Sequence, residues 1–135
     1  MPDVADQVEA ANAALYAAFE TGDVDLMEAV WDVEEPEAVV CVHPGWPMLR
    51  GRANVLRSWS AVMAGTEYIQ FFLTDVRVCV LGDTAVVTGT ENVLTSADVG
   101  DNTAVVATNV FVRRADGWRL LVHHASPVLG KLVHE

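Results

Sequence analysis

Basic residues are scarce in this chain. Lys and Arg number 8 against 19 Asp and Glu, a formal charge of −11 over 135 residues. A surface of that sign repels phosphate backbones and anionic lipid, so the electrostatic footprint of a nucleic-acid binder is missing. Cysteine is almost absent too. Cys41 and Cys79 lie too far apart for a local metal motif, and a chain of this length builds a core without disulfides. Both read as reduced, buried small hydrophobes. No apolar run approaches the ~20 residues of a membrane helix. The segment Met1 to Asp6 lacks the basic and apolar regions of a signal peptide, so the expected location is the cytoplasm. Repeats, low-complexity tracts and interdomain linkers are not seen.

What is present is a hydrophobic fraction of 52%, which excludes disorder. The length fits one domain over 1–135, with its core at about 5–126 and a loosely held tail at 127–135. Val4, Val8, Ala11, Leu15, Ala18 and Phe19 recur at helical spacing and predict a helix over 3–21, closed by Gly22. Asp23 is placed to cap a second helix that Pro36 ends. A first strand is expected over 38–43, a loop over 44–50 and a third helix over 52–63. The rest reads as strands over 68–81, 84–95, 103–113 and 118–126. Turn signals at Gly82-Asp83 and Ala115-Asp116-Gly117, with a polar loop over 96–102, join them into an antiparallel meander. Helices first and hairpins later is the α+β pattern. The expected architecture is a cone-shaped, curved antiparallel sheet packed on three N-terminal helices, with an internal cavity.

Three local phrases carry a family resemblance. They are Phe19-Glu20-Thr21-Gly22-Asp23-Val24-Asp25 at the first helical joint, His43-Pro44 followed by Arg50-Gly51-Arg52, and Asp116-Gly117-Trp118-Arg119-Leu120 in the last hairpin. With the element order, they resemble the nuclear-transport-factor-2-like superfamily and, within it, the SnoaL-like proteins. That fold hosts isomerases, cyclases, dehydratases, transport factors and kinase association domains, so the resemblance specifies fold better than function. Aligned with ketosteroid isomerase, the general-base aspartate falls at His43 and the protonated oxyanion-hole aspartate at Asn109. The oxyanion-hole tyrosine falls near Leu15, with Tyr16 beside it expected to face away.

His43 is the leading catalytic candidate. It ends a β-branched run at a Pro-Gly turn and titrates near neutrality, as a general base must. The alternative is a histidine tied to a backbone carbonyl. Asn109 shares a strand face with Val105, Ala107 and Phe111, which marks that face as a cavity wall and Phe111 as a ligand contact. A buried amide without partners costs about 1–3 kcal/mol, so Asn109 either bonds its neighbours or awaits a ligand. His123 and His124 point to opposite faces. The relatives imply that Trp118, Leu120, Val122 and His124 look inward, placing His124 in the cavity with Val122; a bulge would reverse this. Either Glu91 or Asn92 faces inward; an inward Glu91 would pair with a histidine. Trp59 on the third helix and Trp46 after His43 are pocket or mouth aromatics, Trp59 being equally placed for the core. Arg50 and Arg52 fit an anion clamp or a helix-entry salt bridge.

His43, His124 and Glu91 could in principle converge on a metal, yet no local metal motif is present, and neither metal nor cofactor is expected. Three functions remain open: a proton-transfer enzyme (isomerase, cyclase or dehydratase) on a small, largely apolar molecule, a non-catalytic carrier, or an association module. The first would use His43 as base, with Asn109 and His124 donating to developing charge. A homodimer is expected through the outer sheet face, with Val106, Thr108, Val110 and Val112 on it and Leu121 and Ala125 contributing.

Overall fold

The computed structural model describes residues 2–96 and 103–129. Most of the loop expected at 96–102 and most of the tail lie outside them. Helix α1 spans Val4–Thr21 and α2 spans Val24–Val30. Asp3 starts α1 by accepting the Asp6 amide at 2.8 Å, and Asp23 starts α2 by accepting the Leu26 amide at 3.1 Å. Between them Gly22 takes φ 65°, a left-handed turn in which a side chain is strained. A 3-10 turn, Pro36–Ala38, leads into β1, Val40–Val42, and a two-residue strand β2, Leu49–Arg50, precedes α3, Arg52–Ala64. Four long strands follow: β3 Ile69–Leu81, β4 Thr84–Thr95, β5 Thr103–Arg114 and β6 Gly117–Pro127.

They form one six-stranded sheet in the order β2-β1-β6-β5-β4-β3. The hairpins β3–β4–β5–β6 are antiparallel, as the turn residues predict. The pairing of β1 with β6 is parallel, so the sheet is mixed rather than wholly antiparallel. The cause is topological: the chain leaves β1, crosses through α3 and runs the whole meander before its last strand returns beside the first. That return sets Cys41 opposite His123 and brings the end of β1 to the middle of β6.

Two irregularities shape the sheet. In β3 the register with β4 shifts between Thr74 and Arg77, and Asp75 there has φ 53°. Gly89 lies against this bulge; a Cβ on it would sit 3.2 Å from a Val76 methyl and 3.4 Å from the Thr74 carbonyl. In β6, Leu120 pairs with Phe111 and Val122 with Val110, leaving Leu121 unmatched. A bulge of this kind reverses side-chain parity downstream. Trp118 and Leu120 are buried before it, and His123 and Ala125 after it.

The bulge corrects several expectations. His124 and Val122 face outward and Ala125 faces inward, the reverse of strict alternation through 118–126. Cys79 lies exposed on β3, whereas Cys41 is buried. Phe111 points inward as expected but is sealed in the core with Trp31, Trp118 and Leu120, without reaching the cavity. The α2–β1 connection is fastened by Arg114, which makes two hydrogen bonds of 2.8 and 2.9 Å to the buried Asp32 carboxylate. Among the described residues no helix is long and apolar enough to cross a membrane.

Candidate active site

Between α1, α3 and the concave side of the sheet lies a cavity of about 300 Å³. Most of its wall is hydrocarbon and ring. Leu15 and Phe19 come from α1, Val62 from α3, and Phe71, Val93 and Val105 from the strands. Trp59 lines it from α3, and Trp46, 42% exposed, stands at the mouth. Set into this wall are four groups able to move or hold a proton: His43, His123, Tyr16 and Glu91.

His43 follows β1 directly, so the strand fixes its backbone and the Pro44-Gly45 turn keeps its ring at the cavity edge. Its ring packs edge-on against Trp59 and Trp46, with centroids 4.6 and 4.8 Å away. Nε2 lies 2.9 Å from the Ser58 hydroxyl oxygen. That hydroxyl already donates to the Val55 carbonyl at 2.6 Å, so Nε2 must carry the proton and donate to Ser58. The other ring nitrogen, Nδ1, then holds the lone pair. Burial pushes the His43 pKa down to about 4, below the near-neutral titration expected from the sequence, so the ring is neutral at ordinary pH and a weaker base than a free imidazole.

His123 is fixed in the opposite tautomer. The Asn109 amide donates to the Asn12 side-chain oxygen at 2.8 Å and to the Tyr16 hydroxyl at 3.3 Å. Its oxygen is thereby turned to His123 Nδ1, 2.6 Å away, and Nδ1 must donate. Nε2 is left as the acceptor. Burial, with His43 and His124 nearby, lowers the His123 pKa to about 3.

The Tyr16 hydroxyl is 2.6 Å from Glu91 Oε2 and donates to it. Burial raises the Glu91 pKa to about 7, although the tyrosine hydrogen bond pulls the other way. The tyrosine itself is pushed well above its ordinary range by burial and by the adjacent carboxyl. The two oxygens share one short hydrogen bond, so a protonated Glu91 can donate to Tyr16 and free the phenolic hydrogen for the cavity. Such a couple is charged above about pH 7 and neutral below it.

Of the expected site residues, His43, Trp46, Trp59 and Glu91 meet in this cavity, and Asn92 takes the outward position, donating to the Phe72 carbonyl at 2.8 Å. Asn109 is buried behind the wall with both amide hydrogens committed, so it positions His123 and Tyr16 rather than a ligand. His124 is on the other side of the sheet, which also dissolves the trio of His43, His124 and Glu91 as a metal site. Among the described residues no three His, Cys, Asp or Glu side chains are grouped to hold a metal. Tyr16 corrects the expectation that it faces away: α1 is wedged deeply enough that both Leu15 and Tyr16 are buried and line the cavity. A signal for it was present, since Val8, Asn12, Leu15, Tyr16 and Phe19 form a second helical stripe that includes two polar groups four residues apart. Ser58 shares a helix face with Val55 and Trp59, again a polar group within an apolar stripe. Arg52 is drawn away from any ligand role by a 2.9 Å hydrogen bond to the Glu28 carbonyl.

A SnoaL-like domain model matches residues 8–130. The chain belongs to the SnoaL-like family. A solved structure from Streptomyces avermitilis, provisionally assigned as a dehydratase of the nuclear-transport-factor-2-like family, is 52% identical. It covers 93% of this chain and 96% of its own, with a TM-score of 0.86. A provisionally assigned calcium/calmodulin-dependent protein kinase type II association domain from Thiobacillus denitrificans is 36% identical, covering 94% and 99%, with a TM-score of 0.81. A provisionally assigned ketosteroid isomerase from Shewanella frigidimarina shares the fold at 18% identity, covering 91% and 97%, with a TM-score of 0.75. No curated protein matches the chain. The structures it resembles thus carry provisional assignments as an enzyme and as an association domain.

Proposed function

We propose that this SnoaL-like protein is a dehydratase acting on a small, largely apolar β-hydroxy carbonyl compound. The observation that carries the reading is that a neutral imidazole and a proton-holding Glu91–Tyr16 couple line one apolar cavity. His43 Nδ1 takes the proton from the carbon beside the carbonyl. The released electron pair forms the carbon–carbon double bond as the bond to the hydroxyl oxygen breaks. Glu91 supplies a proton, through Tyr16, to the departing oxygen, which leaves as water. The proton on His43 then returns to the Glu91 carboxylate through solvent, so the cycle is neutral. His123 Nε2, locked by Asn109, accepts a hydrogen bond from the substrate and orients it. Among the described residues lining the cavity none is an asparagine or glutamine, and Asn109 is spent within the wall, which favours concerted departure over a long-lived oxyanion.

The 52% identity to the Streptomyces protein supports dehydration over isomerisation or cyclisation. The experiment is a panel of β-hydroxy ketones and esters followed by absorbance of the conjugated product. Turnover by the wild type, lost in His43→Ala and Glu91→Gln, is expected. A folded wild-type protein inert across the panel contradicts the proposal.

Assembly is a separate part of the reading. The outer face of β4–β6 presents Thr88, Thr90, Val106, Thr108, Val122 and Ser126, with Val106 46% exposed, and none of these side chains is charged. A face of this kind suits a twofold homodimer. The resemblance to the Thiobacillus association domain supports oligomerisation through this fold.

A further inference from the structure

The described wall of the cavity offers an anion no fixed positive charge, only neutral donors such as the Glu91–Tyr16 couple. None of the described residues lining it is a lysine or arginine. The two histidines are held neutral in an apolar site, and their hydrogen-bond networks spend the N–H of each ring on the protein: His43 Nε2 on Ser58 and His123 Nδ1 on Asn109. What each ring has left is a lone pair. The indole N–H of Trp59 finds no well-aligned hydrogen-bond partner, and the nearby Cys41 sulfur is the group that draws on it. A permanent cation fares no better for catalysis. It would hold Glu91 as a carboxylate and remove the proton that the couple must deliver.

We infer that the cavity selects an uncharged ligand carrying a hydroxyl or comparable hydrogen-bond donor, and rejects the carboxylate form of the same skeleton. The inference rests on the dehydratase reading only where it excludes cations as substrates; the rejection of anions rests on a wall whose described residues include no lysine or arginine. A hydroxyl donates to one imidazole nitrogen, and its apolar body fills the ring-lined space. A cavity of about 300 Å³ is worth about ten water volumes, room for a bicyclic or short-chain molecule. Acyl carriers with phosphates and free hydroxy acids are thereby excluded as the part of the substrate that enters.

The test is equilibrium binding of three probes of one shape to the wild-type protein at pH 6: 2-naphthalenemethanol, 2-naphthoate and 2-naphthylmethylammonium, by isothermal titration. The alcohol is expected to bind at least tenfold more tightly than naphthoate; the ammonium probe, which can pair with the Glu91 carboxylate, is the control for charge of the other sign. His123→Leu and His43→Leu are each expected to reduce that preference toward the affinity of the unsubstituted hydrocarbon naphthalene. Naphthoate binding as tightly as the alcohol overturns the inference, as does failure of the alcohol to bind. If the charge preference is present but no β-hydroxy carbonyl is turned over, the dehydratase reading fails and the rejection of anions survives. If a neutral substrate is turned over but the probes show no charge preference, the reverse holds.

Discussion

The two faces of β4, β5 and β6 carry neighbouring residues with opposite fates. On the concave face Glu91, Asn109 and His123 are buried and linked through Asn109 and Tyr16, and Glu91 and His123 are shifted in their acidity. One residue away on the convex face, Asn92, Thr108 and His124 are not buried, and Thr108 and His124 line a broad hydroxyl-rich hollow. The same residue types occur on both sides. What separates them is the low dielectric of the helix-covered face, which strips water from a titratable group and makes its protonation state a property of its neighbours.

The largest effect that would break this comparison comes from exchanging the two sides' histidines as mutation sites. His43→Ala should lower kcat/KM by about 10²- to 10⁴-fold, the range for a lost general base, with the melting temperature showing a folded protein. His124→Ala should leave kcat/KM unchanged. Activity lost in His124→Ala and kept in His43→Ala would show that the convex hollow, not the cavity, is the reaction site, and comparable losses in both would contradict the contrast between the two faces.

A smaller effect concerns stability and pH. The Glu91 pKa in the folded protein, about 7, exceeds its ordinary value of 4.5. Its contribution is therefore most favourable below about pH 4.5 and is lost as pH rises to about 7. Glu91→Gln cannot lose it, and should be more stable than wild type at pH 8 by about 1–3 kcal/mol in urea unfolding. The difference should shrink or reverse at pH 4.5. A constant offset at both pH values would show that Glu91 titrates as an exposed carboxyl does.

Asn109→Ala removes the hub of the buried network and leaves His123, Asn12 and Tyr16 each short of a partner. Destabilisation of about 1–3 kcal/mol is expected, with the imidazole of His123 no longer held in one tautomer. The convex face should answer differently. Val106→Asp is expected to cost less than about 0.5 kcal/mol in the single chain, as for most surface changes, yet to move sedimentation from dimer to monomer. A monomeric wild type would end the dimer proposal.

Much of this contrast was legible in the chain, and the illegible part has a specific origin. Turn residues and alternation located the four long strands to within a residue or two, and His43-Pro44-Gly45 marked the strand end that feeds the cavity. The alternation rule then failed across Leu121, because a bulge leaves no composition signature in Gly117–Pro127 and flips everything after it. One unmatched residue decided which of two adjacent histidines faces the cavity. Tyr16 was misplaced for a related reason: the apolar stripe from Val4 to Phe19 fits α1, but the wedge between α3 and the sheet buries a wider arc than that stripe. Asn109 was placed on the correct face, but no local pattern tells that Asn12 and Tyr16, roughly a hundred residues earlier, consume its amide.

The central claim is that the cavity stores a proton on the Glu91–Tyr16 couple at neutral pH. Carbon-13 NMR of labelled glutamate carboxyls, with Glu91→Gln to assign the signal, reads this without any substrate. The account predicts one carboxyl titrating with a midpoint near 7, set apart from the remaining glutamates and missing in the variant. A Glu91 midpoint near its ordinary 4.5 would contradict it.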